Sequence, residues 1–468
     1  MRRSWGYNTL GTVPEKSLLF ISQKAGAIPV AWELRKEGVP VDFYIYDPVY
    51  RKTYSGLMPR VGDDGLLEAV KRASHVAIDI VLPNDKSPRA FDFLDKFGIS
   101  HNVPGLFGTL GDKLRKPPWN KEVIGGGALP EKVELDREEG IKLARLCGFD
   151  IPEYHEFTSL KAGAKFLHGS GKDKLWVFKP HGNADLDLTK VEDFKGELLD
   201  LLTTTYPARL GDSVKFILQE KIVGEEVSSE IWVVDGVVMH PNRTLEDKKL
   251  GDGDTGPAVG SASNSVFLCK DASGIVHNLI VKIPWLKGYT GPVDANSIIT
   301  KGGRVWFLEW TFRFGYSALF LFLSLIKKGK LSTFFLNKFK AEPERSFVAS
   351  QVLTLHPFPH VRDKLALYAP MIKDNLINSP IDTKGAWWVD VYKDSKGKLR
   401  CAGADGYLGV ILDRGATAEE AIKACHKRVA EIKMAGISGD LQHRTEHDHL
   451  KSHLGRLEKF KSWGIDLF

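Results

Sequence analysis

Cysteine is scarce in this chain: of 468 residues only four are cysteine, Cys147, Cys269, Cys401 and Cys425, and none stands at a paired spacing. That argues against a disulfide framework and a cysteine-based zinc site, and for a reducing compartment, so the expected location is cytoplasmic. Long apolar runs are missing too. The strongest, Ala318 to Ile326, is far short of the roughly 20 residues a membrane-spanning helix needs and is expected to be a buried helix. Met1-Arg2-Arg3-Ser4 is not followed by an uninterrupted apolar stretch, so no signal peptide is expected. Charge of one sign is absent as well: the formal net charge is +6, with Lys and Arg interspersed among Asp and Glu. With no basic stripe carrying exposed aromatics, a nucleic-acid partner is not expected. The loop Ser22-Gln23-Lys24-Ala25-Gly26-Ala27 lacks the G-x-G-x-x-G that a dinucleotide pyrophosphate requires, which argues against NAD although Asp47 stands where a ribose-binding acid would.

What is present reads as several domains. A strand from Ser17 to Ile21, a helix around Val30 to Lys36, a strand from Val41 to Tyr46, a helix from Leu66 to Arg72 and a strand from Val76 to Leu82 make a small parallel α/β unit. The stretch from Gly105 to Pro130, with Lys116-Pro117-Pro118-Trp119 and Gly125-Gly126-Gly127, reads as a connector or flexible loop. A helix follows from Asp136 to Cys147, ended by Gly148. Strands are expected at Leu175 to Lys179, Phe216 to Ile222 and Val227 to Val234, the last turning at Asp235-Gly236 into Val237 to His240. Alternation returns at Gln351 to Leu355, Trp387 to Tyr392 and Tyr407 to Leu412, before a long helix from Thr417 to Met434.

Two β-rich runs, Val293 to Ile299 and Arg304 to Glu309, flank Thr300-Lys301-Gly302-Gly303 and predict an antiparallel hairpin. Centred on Lys301-Gly302, it sets Asp294 across from Glu309. Like charges facing each other weaken a ladder, so a divalent cation between them is the reading that makes sense of the pair. Alternation brings Thr311 and Arg313 to the Glu309 face and sends Trp306, Leu308 and Trp310 into a core. Lys179 is delivered at a strand end, where its amine can neutralise phosphates. The segment Gln219 to Val223, with Glu220 and Ile222, reads as a linker strand whose backbone meets an adenine edge, followed by Glu225-Glu226 for ribose hydroxyls. The run from Leu245 to Pro257, with Asp254, exposes backbone N–H groups and carboxylates together, which suits an amino or carboxylate substrate beside a metal-bound phosphate. His443, His447, His449 and His453 form a C-terminal cluster whose simpler reading is a solvated helix face rather than a metal site. Gly169-Ser170-Gly171-Lys172 has the wrong spacing for a P-loop and reads as a turn.

In order and spacing these pieces resemble the ATP-grasp ligases, in particular the glycinamide ribonucleotide synthetase family. The resemblance is carried by Gly148-Phe149-Asp150-Ile151-Pro152, Val177-Phe178-Lys179, Gly224-Glu225-Glu226, Glu246 through Pro257, Phe307 through Gly315 and Gly406-Tyr407-Leu408-Gly409-Val410. It implies an α/β and α+β multidomain fold: an N-terminal Rossmann-like domain over 1–105, an ATP-grasp domain over 106–344 with a lid at about 154–221, and a small C-terminal α+β domain over 345–468. It also implies an ADP-forming ligase that joins a carboxylate to an amine through an acyl phosphate, in purine biosynthesis, using ATP with Mg2+ or Mn2+ and small-molecule amine and amino-acid substrates, as a monomer or homodimer. The implied roles are Lys179 on phosphate, Arg137 in the place of a first ATP-contacting lysine, Glu226 on ribose, Glu309 on the metal and Arg313 on the transferred phosphoryl or acyl phosphate; the reading of the residues themselves adds Asp294 and Thr311 at the metal, Glu220 and Ile222 at the adenine and Asp254 among the catalytic residues.

Departures from the family pattern bear on substrate identity more than on fold. The Gly-rich phosphate loop becomes Ser22-Gln23-Lys24-Ala25-Gly26, and Thr311 replaces an asparagine. Tyr316-Ser317-Ala318 replaces acidic residues, Ala258-Val259-Gly260-Ser261 replaces an Asn-Thr-Gly-Gly run, and the lid flap is reduced to His181-Gly182-Asn183 with Asp185 and Asp187 after it. Two alternatives stay open: an amide ligase for a different amine and amino acid, and a nucleotide-binding scaffold without turnover.

Overall fold

The computed structural model describes residues 16–79, 92–99, 106–180, 189–272, 274–356, 358–359, 370–435 and 441–468. Leu18–Ser22 is buried at all five positions, as a strand covered on both faces must be. It pairs in parallel with Val41–Ile45 on one side and His75–Asp79 on the other. Glu122–Ile124 adds a fourth parallel strand beside 75–79. This corrects the reading of 105–130 as a connector, because that segment also holds the helix Leu106–Arg115 and the start of the helix Ala128–Leu135. Its glycines serve packing rather than looseness: a Cβ on Gly108 would strike the Gly127 carbonyl, and one on Gly111 the Gly126 backbone.

An antiparallel sheet forms the centre. Its strands run in the order Val305–Thr311, Thr290–Ile299, Glu225–Val234, Val237–Gly251, Thr255–Leu268, Phe347–Leu355, Tyr407–Gly415 and Ala386–Trp388, with Leu441–Gln442 also on the 347–355 strand. Asp235 and Gly236, at φ 47 and 83, turn the expected hairpin, which suits residues tolerant of the left-handed region. What reads from Leu245 to Pro257 as a loop is the far end of two long strands and their turn. The run Ala318–Leu325 is a buried helix, as expected. Behind the sheet, Trp232 packs against Phe322, Phe334 and Phe339. Among the described residues no helix is long and apolar enough to cross a membrane.

A separate antiparallel sheet orders Tyr154–Phe157, Phe216–Glu220, Trp176–Pro180 and Lys190–Val191, over its own core of Trp176, Phe178, Leu198, Tyr206 and Phe216. The C-terminal helix Glu446–Ser462 lays His449 and His453 into the protein, both without exposed surface, while His443 and His447 stay exposed. This corrects the solvated-face reading, since the 449/453 spacing marks the packed stripe of the helix.

Candidate active site

The hairpin forms, but in a different register. Ile299 pairs with Val305, and Leu308 is an extra, unpaired residue, so Asn296 faces Glu309 and Asp294 faces Thr311. Asp294 is therefore diagonal to Glu309, not across from it. A two-residue offset keeps parity, so the pair still shares one face. The bulge also resets the inner face: Phe307 and Trp310 are the buried residues, while Trp306 and Leu308 are half-buried. Trp306 is covered from outside by the Arg304 guanidinium, 4.3 Å from its ring.

On the neighbouring strand Glu230 stands opposite Asp294. Asp294 accepts from Ser228 Oγ at 2.5 Å, and Glu230 accepts from Trp232 Nε1 and Asn242 Nδ2, each at 3.0 Å. Burial, and then the charges of Glu230, Glu246 and Glu309, hold Asp294 well above the usual carboxylate range. Burial pushes Glu230 up to about 7. It does the same to Glu246, where Glu226 and Glu309 add to the shift against the pull of Lys248. These acids resist ionising together unless a cation joins them.

Cations face them. Lys248 Nζ lies 2.6 Å from Glu226 Oε1 and 3.4 Å from Glu309 Oε1. Burial opposes its charge, but Glu226, Glu309 and Glu246 outweigh burial and raise its pKa. Lys248, against burial, and then Lys179 and Arg313 hold Glu309 below the ordinary carboxylate value. Lys179 is lowered to about 7, first by burial and then by Arg137 and Lys248, against the pull of Glu309 and Glu226. Arg137 opens the helix Arg137–Cys147, capped by the Asp136 side chain. Its Nε is buried without a hydrogen-bond partner among the described residues, and burial lowers its pKa against the attraction of Glu309. The Glu309 side chain is nevertheless 61% exposed, so the group lines an open cleft.

Such a cleft fits a metal-bound polyphosphate from both sides. An anion would stabilise the charged forms of Lys179 and Arg137, and a divalent cation those of Asp294 and Glu246. Among the described residues no three His, Cys, Asp or Glu side chains converge as a self-sufficient metal cage. Mg2+ needs none, since it binds through one or two carboxylates with phosphate oxygens and water completing its shell.

Other expected residues lie around this centre. The Glu220 carboxylate meets Lys174 at 3.1 Å and its N–H donates to Glu153 O at 2.8 Å; Ile222 is half-buried just beyond the strand end. Asp254 sits at a hairpin tip, 68% exposed, and its ion pair is with Lys249 at 3.7 Å rather than with a clustered group. Arg313 Nε donates to Glu134 Oε1 at 2.7 Å, and Glu134 also accepts from Phe312 N. Together they line a pocket with Glu131, Ile78 and Phe107. Burial raises Glu131 to about 7. Nearby, Asp79 accepts from Tyr316 O–H, Ser22 Oγ and Ala27 N, so an internal carboxylate occupies the Ser22–Ala27 loop. The flap residues His181, Gly182, Asn183, Asp185 and Asp187 lie outside the described residues.

Sequence reading placed Glu246 and Lys248 in the 245–257 run without giving either a role in the charge cluster, and missed Glu230 and Glu134. Period-two alternation through Glu246-Asp247-Lys248 was the available signal for the first two, since it puts 246 and 248 on one face. Glu134 carried no signal, because its partner lies 179 residues away.

No protein-family model matches the chain. Over 264 residues it is 30% identical to the phosphoribosylamine–glycine ligase of Pseudomonas syringae pv. tomato, covering 52% of this chain and 58% of that protein. Over 333 residues it is 22% identical to the enzyme of that name from Lactococcus lactis subsp. lactis, covering 67% and 76%. The chain thus spans about half the length of the first curated relatives it matches. The crystal structure of phosphoribosylamine–glycine ligase from Thermotoga maritima superposes with a TM-score of 0.64 at 17% identity, over 92% of this chain and 99% of that one. Biotin carboxylase from Campylobacter jejuni, solved as a β-γ-ATP complex, gives a TM-score of 0.58 at 11% identity, over 93% and 94%. The fold is that of the ATP-grasp proteins, and the chain resembles phosphoribosylamine–glycine ligase.

Proposed function

We propose that this chain is an ATP-dependent carboxylate–amine ligase, most like phosphoribosylamine–glycine ligase. The observation that carries the reading is the facing of Lys179, Arg137 and Lys248 against Glu309, Glu246 and Asp294 in one open cleft. In the reaction a substrate carboxylate oxygen attacks the γ-phosphorus and ADP leaves. The amine nitrogen then attacks the acyl carbon, the carbon–oxygen bond to phosphate breaks, and nitrogen loses a proton. Such chemistry is positioning and charge neutralisation more than covalent work by the protein.

Asp294 and Glu309, with Thr311 beside them, would hold a divalent ion, Mg2+ or Mn2+, whose part is to draw charge from the phosphates. Lys179 and Arg137 would bind phosphate, and Glu226 the ribose. Lys248, already between Glu226 and Glu309, would neutralise charge on the transferring group. Arg313, held by Glu134, would orient the carboxylate or acyl phosphate from its pocket wall. The adenine would lie along Glu220 to Ile222, and Asp254 would meet substrate from the hairpin tip. Four buried free cysteines suit a reducing, cytoplasmic setting.

The test is ADP release that requires both an amine and a carboxylate, starting with phosphoribosylamine and glycine. Glu309→Gln is expected to lower it by about a hundredfold or more, with an unchanged melting temperature because the side chain is mostly exposed. ADP release without amine, or full activity in Glu309→Gln, would overturn the reading.

A further inference from the structure

The strand carrying Glu246 and Lys248 loses its ladder beside them. Asp247 pairs with Ser263, but the next paired residue, Lys249, meets Ala258. One residue on this strand therefore stands against four on the other, and Lys248 has no cross-strand partner. Backbone pairing cannot fix its direction.

A different element grips the stretch from the opposite face. Arg456 Nη1 donates to Glu246 O at 2.9 Å and Nη2 to Asp247 Oδ1 at 2.7 Å. Arg444 Nη1 donates to Lys249 O at 3.0 Å. The two guanidiniums thus hold the carbonyls on either side of Lys248. Asp247, pointing away from the cleft, also accepts from Ser452 Oγ at 2.6 Å and from Ser263 Oγ, and lies 3.1 Å from His453 Nε2. Further along, Asp448 accepts from Gly253 N, and Thr445 donates to Asp252 through both its N–H and its hydroxyl. Both arginine side chains are nearly buried. A contact serving only to attach the helix would be made more cheaply by apolar packing, since buried guanidiniums lose their hydration.

We infer that Arg444 and Arg456 are positioning residues that aim the Lys248 ammonium between Glu226 and Glu309; the catalytic arm of this inference rests on the ligase reading above. Arg456→Ala is expected to lower kcat by about tenfold or more while changing KM for ATP less than about threefold, with Arg456→Lys recovering part of the loss. In a Lys248→Ala background the same substitution should cost less than about twofold, because the group it aims is gone. An equal loss in both backgrounds, or an unchanged kcat, would overturn the inference. Should Arg456→Ala not fold, Arg444→Gln carries the same comparison. Acylation of Lys248 in the nucleotide-free protein, followed by mass spectrometry, separates this from the ligase reading. Its rate should shift several-fold in Arg456→Ala, and an unchanged rate sinks the inference whether or not the protein turns over. A wild-type protein that releases no ADP, yet shows the labelling shift, instead fails the ligase reading alone.

Discussion

Lys179 sits near pKa 7 because burial and the neighbouring cations Arg137 and Lys248 disfavour its charge more than Glu309 and Glu226 support it. Its folded value lies below the ordinary lysine value, so between about 7 and 10.5 the unfolded chain binds the extra proton and stability rises with pH. A polyphosphate reverses the local balance by supplying negative charge. Binding of ATP without divalent cation, at about pH 7.5, should therefore take up a fraction of a proton, and affinity should fall as pH rises toward about 9. Calorimetry in buffers of different ionisation heat measures this directly. Lys179→Met should remove both effects, and a binding heat independent of buffer would show that Lys179 is not the group concerned.

Elements deliver these residues, and some of that delivery was legible in sequence. Asp136 before Arg137-Glu138-Glu139 and Gly148 after Cys147 mark both ends of a helix through cap chemistry, and the structure has both caps. Asp136→Ala should cost about 1 kcal/mol in denaturant unfolding, whereas Asp136→Asn should stay within a few tenths. Because Arg137 is the first residue of that helix, nucleotide affinity should weaken with the alanine; an unchanged affinity would detach Arg137 from the site. The hairpin at 294–311 was legible in its existence and its acids but not in its register or its inner face, because the Leu308 bulge leaves no compositional mark. The glycine run at 125–127 misled for the reverse reason, since glycine permits close helix packing, here of Gly108 and Gly111 against it, as well as turns. Burial of His449 and His453 was hidden because their partners, Gln351 and Asp247, are distant in sequence.

At the scale of the whole molecule the cleft is shared between parts with different cores. Lys179 belongs to the small antiparallel sheet, whose apolar cluster has no member in common with the cluster under Glu309. The 225–268 strands instead continue into Phe347–Leu355 and Tyr407–Gly415 in one ladder. Local opening follows the boundaries of such cores. Amides of 176–179 and 216–220 should therefore exchange at least about tenfold faster than those of 227–233 and 263–267 in the free protein. Nucleotide bound across both parts at about a hundredfold over its Kd adds about 2.7 kcal/mol against any opening that releases it, which is about a hundredfold in protection. Protection should appear in the small sheet, while central amides that exchange by smaller fluctuations keep their rates. Equal exchange in both sheets before nucleotide, or protection confined to the central strands afterwards, would mean that the small sheet is not the moving wall of the cleft.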